Sequence, residues 1–266
     1  ELGVGDIRQT TFAEWALDLL GGKAELQDSA ADFERWFERR VTEKELEEAP
    51  GRTKGSLAML KRIDEALAGL EEKLVPDETF SPVAGIRLSP ERIREWLREE
   101  PADEPLMKRR ERLAGRLKRW MEIEIGRARW SDKAIRSAAT AKWKAYVGKM
   151  PQPDAAAFFA DEVLAGGTAD SGRKSASKRK RAPVAAEDLP ALAYIQLRLY
   201  GAGDIPMYDH IVIDEAQDYS PLQLAALKAR QRVPSMTVLG DLQQGIHGYV
   251  GIRSWEELKE AFDEED

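Results

Sequence analysis

With 266 residues, 42% of them hydrophobic and 33% charged, the chain is long enough to bury one large core or two smaller ones. A total of 41 Lys and Arg against 48 Asp and Glu gives a net charge of −7, so any nucleic-acid-binding surface has to be local. The lack of Cys excludes a disulfide framework and thiolate metal sites and suits a reducing cytoplasm, two His argue against a zinc enzyme, and no apolar run approaches a membrane span or a signal peptide.

Residues 7–11 form a short β-branched stretch, and 12–20 read as a helix closed by Gly21-Gly22. A long helical region follows. Over 32–49, Phe33, Trp36, Phe37 and Val41 share one face, and over 57–74 the leucines and Ile63 repeat that pattern. Ser89-Pro90-Glu91 predicts a helix start: Ser can cap, Pro suits the first position and Glu complements the positive end. Helical character continues over 106–125 and 134–147. Residues 166–183, rich in Gly, Ser, Lys and Arg, read as a mobile loop or linker. A capped helix over 188–200 ends at Gly201. The tail then alternates: strand 210–213, helix 221–229, buried strand 236–239, helix 255–262. Strands interleaved with helices imply a parallel sheet covered on both faces.

Tyr208-Asp-His-Ile-Val-Ile-Asp-Glu-Ala-Gln-Asp-Tyr carries the clearest chemistry. An apolar strand running into Asp214-Glu215 puts two carboxylates at the carboxyl edge of a parallel sheet, where α/β proteins bind ligands. In a nucleotide-hydrolysing site the first holds Mg²⁺, usually through water, and the second orients and deprotonates the attacking water. A bare Asp-Glu pair after a strand more often just opens a loop; the full string is more specific. After the next strand, Thr237-Val-Leu-Gly-Asp-Leu-Gln-Gln-Gly-Ile-His-Gly-Tyr has Gly240-Asp241 to turn the chain and Gln244 as a neutral phosphate sensor. His247 and Tyr249 supply flat rings for an unpaired base, worth ~1–3 kcal/mol per base, or ordinary packing.

Together these strings resemble motifs II and III of superfamily 1 helicases of the UvrD/Rep type, and within that group the HelD-type helicases that associate with bacterial RNA polymerase. The resemblance implies Asp214 as the Mg²⁺ ligand and Glu215 as the catalytic base. It implies Gln217 and Asp218 as a link from nucleotide to nucleic acid, and Gln244 as the γ-phosphate sensor of the Gly240-Asp241-x-x-Gln244 string. His247 and Tyr249 take the base-stacking positions. Near the start, Gln9-Thr10-Thr11-Phe12 resembles the family's Thr/Ser-Phe segment that touches the nucleic-acid backbone. The implied fold is α/β: part of a RecA-like parallel sheet of the P-loop NTPase type with a large, mostly helical insertion. Residues 1–20 and 187–266 would belong to the motor domain and 21–186 to the arm, with a basic loop over 166–184. ATP and Mg²⁺ are the implied cofactors, DNA and RNA polymerase the implied partners, and a cytoplasmic monomer the implied state. Gly245 stands where Ser is common in the family, and Val250 where Arg is.

No Gly-x-x-x-x-Gly-Lys-Ser/Thr string occurs; Gly51-Arg-Thr-Lys-Gly-Ser has the flavour but the wrong spacing. With no Met at the start, the chain reads as a fragment whose isolated form does not hydrolyse ATP. Residues 106–150 are locally basic with interleaved Trp120, Trp130, Trp143 and Tyr146, which reads either as a phosphate-holding surface or as a solvated face over an aromatic core. Two further readings stand beside the HelD-type translocase: an ordinary UvrD/Rep-type DNA helicase fragment, and a non-enzymatic nucleic-acid- or protein-binding module.

Overall fold

A computed structural model of the chain describes residues 7–22, 26–27, 42–128, 132–166, 183–244, 251–252 and 254–261. The fold is mixed α/β and predominantly helical, with two small sheets among the described residues. In chain order the first helices are α1 (Phe12–Leu19), α2 (Glu43–Glu47), α3 (Pro50–Gly55) and α4 (Leu57–Lys73). Strands β1 (Phe80–Val83) and β2 (Ile86–Leu88) precede α5 (Pro90–Arg98), α6 (Leu106–Arg127), α7 (Lys133–Val147) and α8 (Ala155–Phe158), which runs on into a π-helical turn, Phe159–Leu164. After α9 (Leu189–Tyr200) the chain alternates: β3 (Ile211–Ile213), α10 (Pro221–Lys228), β4 (Met236–Val238) and α11 (Trp255–Ala261). The expected amphipathic helix over 32–49 lies mostly outside the described residues, as do most of the loop at 166–183 and both His247 and Tyr249.

The chain folds as two compact units. The first holds Glu1–Asp64, Ala155–Leu197 and Ala202–Asp266; the second holds Glu65–Asp154 and Arg198–Gly201.

In the second unit β1 and β2 form an antiparallel hairpin, with Phe80 opposite Leu88 and Val83 opposite Ile86. Gly85, at φ 82°, allows the turn. Phe80 is buried against Trp120 and Tyr146, at ring-centroid distances of 6.1 and 5.0 Å, so these aromatics belong to the core. The α5 start is as predicted: Ser89 caps by accepting from the Arg92 amide, with Pro90 at the first position. Four of the arginines of α6 are committed to the fold. Buried Arg109 pairs with Glu71 at 2.6 Å, Arg112 with Glu104 at 2.6 Å, and Arg116 with Glu99 at 2.6 Å; Arg110 donates to the carbonyls of Val147 and Met150.

In the first unit β3 and β4 are parallel, with Ile211 opposite Met236 and Ile213 opposite Val238. Ile213, Ala216 and Leu224 are buried together, and Tyr219, Leu227, Met236, Val238 and Leu258 pack around them. This covers one face of the sheet. The expectation of a buried second strand covered on both faces is corrected. Val212 is 61% exposed and Leu239 50% exposed, because the described residues place helices α10 and α11 on the Ile213 side only.

Candidate functional site

Asp214 and Glu215 leave the carboxyl end of β3, and Leu239–Asp241 leave the same end of its parallel neighbour β4. The ladder continues past the strands, as Leu239 N donates to Ile213 O at 2.8 Å and Ala216 N donates to Leu239 O at 2.9 Å. To make that second bond the chain reverses at Glu215, which adopts a left-handed conformation, φ 51° and ψ 46°. It is the one non-glycine residue at positive φ among the described residues, a conformation that costs roughly 1–2 kcal/mol for an L-residue. Two hydrogen bonds hold it: Glu215 N donates to Asp214 Oδ1 at 3.0 Å, and Gln217 Nε2 donates to Glu215 Oε2 at 2.6 Å.

Gln217 is the joint between the two loops. Only 4% exposed, it gives its amide N–H to Glu215 while its Oε1 accepts from Asp241 N at 3.0 Å. A Cβ at Gly240 would lie 2.5 Å from Gln217 Oε1 and 3.0 Å from Ala216 N. Gly240 was expected to turn the chain, but its φ is not positive; what it provides is room for Gln217 to cross between the loops. Asp241 Oδ1 accepts from Gln243 N at 2.9 Å and starts the 3-10 turn Leu242–Gln244, which Gln244 ends. Asp214, Glu215 and Asp241 are all exposed at this edge, so three carboxylates share one end of the sheet.

The surrounding elements fix the loops from below. Ser220, fully buried, caps α10: its Oγ accepts from Gln223 N, Gln223 Oε1 accepts from Ser220 N, and Pro221 takes the first helical position. Gly55 lies against it, where a Cβ would come 2.6 Å from the Ser220 Cβ. The string Gly51-Arg-Thr-Lys-Gly-Ser, which resembled a phosphate loop, is a structural clamp. Arg52 donates to Gly251 O at 2.8 Å and to Glu257 at 3.1 Å, and Lys54 pairs with Asp188 at 2.5 Å. Gly251 in turn packs on the Gln217 carbonyl so closely that a Cβ would collide with it.

The early segment meets the same region. Phe12 is buried, with its ring edge-on to Tyr219 at 6.3 Å and 84°; burial pushes the Tyr219 hydroxyl above its ordinary value. Thr11 Oγ1 accepts from Glu14 N, and Glu14 Oε2 accepts from Thr11 N and from the Thr10 hydroxyl, forming a capping box at the start of α1. Those bonds, the Thr11 amide first, hold the Glu14 carboxyl below its ordinary value. The structure thus gives Thr10 and Thr11 a local duty in capping and sets Phe12 against Tyr219.

No motif in the sequence pointed to His210. On the exposed sheet face its two ring nitrogens bond to the hydroxyls of Ser235, 2.7 Å away, and Thr237, 2.9 Å away, tying β3 to β4. Nor did it reveal the Gln217 bridge, whose partners lie on different strands. No helix of the described residues is long and apolar enough to cross a membrane. Compared with protein-family models and with curated proteins, the chain matches none of them.

Proposed function

We propose that the chain is the part of a motor domain that carries the catalytic carboxylates of an ATP-driven, superfamily 1 helicase-like translocase of the HelD type, acting with RNA polymerase and nucleic acid. One observation carries the reading: two parallel strands deliver Asp214-Glu215 and Gly240-Asp241 to one edge, and Gln217 bonds both loops. The partial RecA-like sheet this implies would extend the β3–β4 pair.

The residues present suit a magnesium nucleotide. They offer hard, exposed carboxylate oxygens, and no group of three acidic or His side chains among the described residues could hold a metal by itself. Mg²⁺ keeps much of its water shell and takes its other ligands from phosphate, so a single carboxylate is a sufficient protein anchor. In this reading Asp214 would hold the ion and Glu215 would serve as the base for the attacking water. Asp241 and Gln244 would contribute contacts to the nucleotide, and Gln217 keeps the two loops in register. Mg²⁺ supplies charge neutralisation on the phosphate oxygens when bound.

A second reading, a non-enzymatic binding module, is favoured by the lack of a phosphate-gripping Gly-Lys-Ser/Thr loop in these 266 residues. The test is to compare the complete gene product with the isolated chain. The motor reading expects Mg²⁺-dependent ATP turnover and co-purification with RNA polymerase from the former, and no turnover from the latter. A complete product that lacks the phosphate loop and does not hydrolyse ATP leaves only the binding module standing. Unwinding of a forked duplex without polymerase would move the assignment to an ordinary UvrD/Rep-type helicase.

A further inference from the structure

The basic region of the second unit splits into two surfaces of different character. Most α6 cations are engaged: Arg109, Arg112 and Arg116 are neutralised by Glu71, Glu99, Glu100 and Glu104, and Arg110 donates to carbonyls, while Lys118 and Arg119 are exposed. Helix α7 is the opposite case. Its fifteen residues, KAIRSAATAKWKAYV, contain no acid at all. Lys133, Arg136 and Lys144 are exposed, and none has an ion-pair partner among the described residues.

Helical spacing puts these three side chains on one side. At about 100° per residue, Lys133, Arg136, Ser137, Thr140, Ala141 and Lys144 form one stripe along about 16 Å of axis. The same six residues together line one open, solvent-facing stretch of surface along the helix. The other side of α7 is occupied: Ala139 and Tyr146 are buried, and Trp143 donates its indole N–H to Ala114 O at 3.1 Å beneath Lys118. The stripe is therefore fixed outward by the packing behind it.

We infer that this face of α7 binds the phosphate backbone of duplex DNA without reading sequence. The composition of the stripe selects the partner. A protein interface wants aromatic or aliphatic anchors at its centre, and the stripe offers only Ala141. A membrane surface needs an apolar helix face to insert, and the apolar face of α7 is already buried in its unit. Single strands are held by stacking on aromatic rings, and the two rings carried by α7 itself, Trp143 and Tyr146, are both engaged in packing. What remains is three uncommitted cations and the exposed Ser137 hydroxyl, the donor set of a backbone contact. Thr140 is not part of that set, since its hydroxyl donates to Arg136 O at 2.9 Å. The inference rests on the charge distribution of α7 and does not depend on the motor reading.

The test is fluorescence anisotropy of a labelled duplex with the full 266-residue chain. Three phosphate contacts predict a log–log salt slope with a contribution of about −2.7 from this face, an affinity loss of about 40-fold between 50 and 200 mM salt. Changing Lys133→Gln, Arg136→Gln and Lys144→Gln together should remove about that much slope, roughly one unit per residue, and weaken binding at least about tenfold at low salt, with helicity by circular dichroism unchanged. The charge-preserving set Lys133→Arg, Arg136→Lys and Lys144→Arg should keep both. Neutralising Arg179, Lys180 and Arg181 should leave the α7 share intact. An unchanged slope in the triple Gln variant overturns the inference. So does binding of a single strand or of polyglutamate at least as tight as that of the duplex.

Discussion

Replacing Gln217 by Leu probes the joint between the two loops without changing the bulk of the side chain much. Gln217 is 4% exposed and makes two bonds that Leu cannot: one to the Glu215 carboxylate at 2.6 Å and one from the Asp241 amide at 3.0 Å. A hydrogen bond to a charged group contributes about 1.5–3 kcal/mol and a neutral one about 1 kcal/mol. Part of this is recovered, because Glu215 can then relax from its left-handed conformation, worth roughly 1–2 kcal/mol. The net expectation is about 2 kcal/mol of local stability, or about 30-fold in the opening equilibrium. Hydrogen exchange read by mass spectrometry over residues 208–244 is the assay. The amides of Ala216, Leu239 and Asp241 should exchange about 30-fold faster, while the β1–β2 hairpin is unaffected. Exchange at those three amides unchanged from the parent chain would refute the reasoning. Gln217→Glu gives an independent check: it keeps an acceptor for Asp241 but sets a carboxylate against Glu215, so its defect should ease as the pH is lowered.

Other outcomes follow from the same geometry. Gly240→Ala should lower the urea midpoint by the equivalent of about 1–3 kcal/mol, since its Cβ would meet Gln217 and the Ala216 amide. Gly69→Ala, in mid-α4 with nothing within 4 Å, should instead stabilise by up to about 1 kcal/mol. Burial, with the nearby Glu78 charge adding to it, pushes the Tyr146 hydroxyl from 10.0 up to about 12. The fold thus favours neutral Tyr146, and the stability this gives is lost as pH rises from 10.0 towards about 12. Tyr146→Phe should flatten that part of the alkaline unfolding profile, as monitored by circular dichroism. Glu14 is the reverse case. Its depressed carboxyl contributes stability above the ordinary value of 4.5 that is lost as pH falls through its lower folded value. A melting-temperature difference between the chain and Glu14→Gln near neutrality should therefore close in acid.

The elements legible in the sequence are those whose ends are set locally. Thr11 with Glu14, Ser89-Pro90, Ser220-Pro221 and the pair Gly21-Gly22 mark helix boundaries through bonds within a few residues. The two motif strings likewise predicted where the acidic residues leave their strands. Features built from tertiary partners were not legible. The β1–β2 hairpin hides behind Pro82 and only a few residues per strand, and gains its stability from Trp120 and Tyr146 far along the chain. Helix α3 contains Gly51 and Gly55, poor helix formers, and is held by contacts to Asp188, Ser220 and Gly251. The basic run over 106–150 looked uniform because its neutralising acids, Glu71, Glu99 and Glu104, sit on other segments. Gly240 invited a reading as a turn because Gly so often turns a chain, whereas the need for it comes from Gln217 crossing over.

The most direct measurement is the single-turnover rate of Mg²⁺-ATP hydrolysis by the complete gene product carrying Glu215→Gln. If Glu215 is the base that the left-handed turn at the end of β3 holds in place, the rate should fall by about 10²–10⁴ with nucleotide still bound. Hydrolysis at the unsubstituted rate would contradict the account.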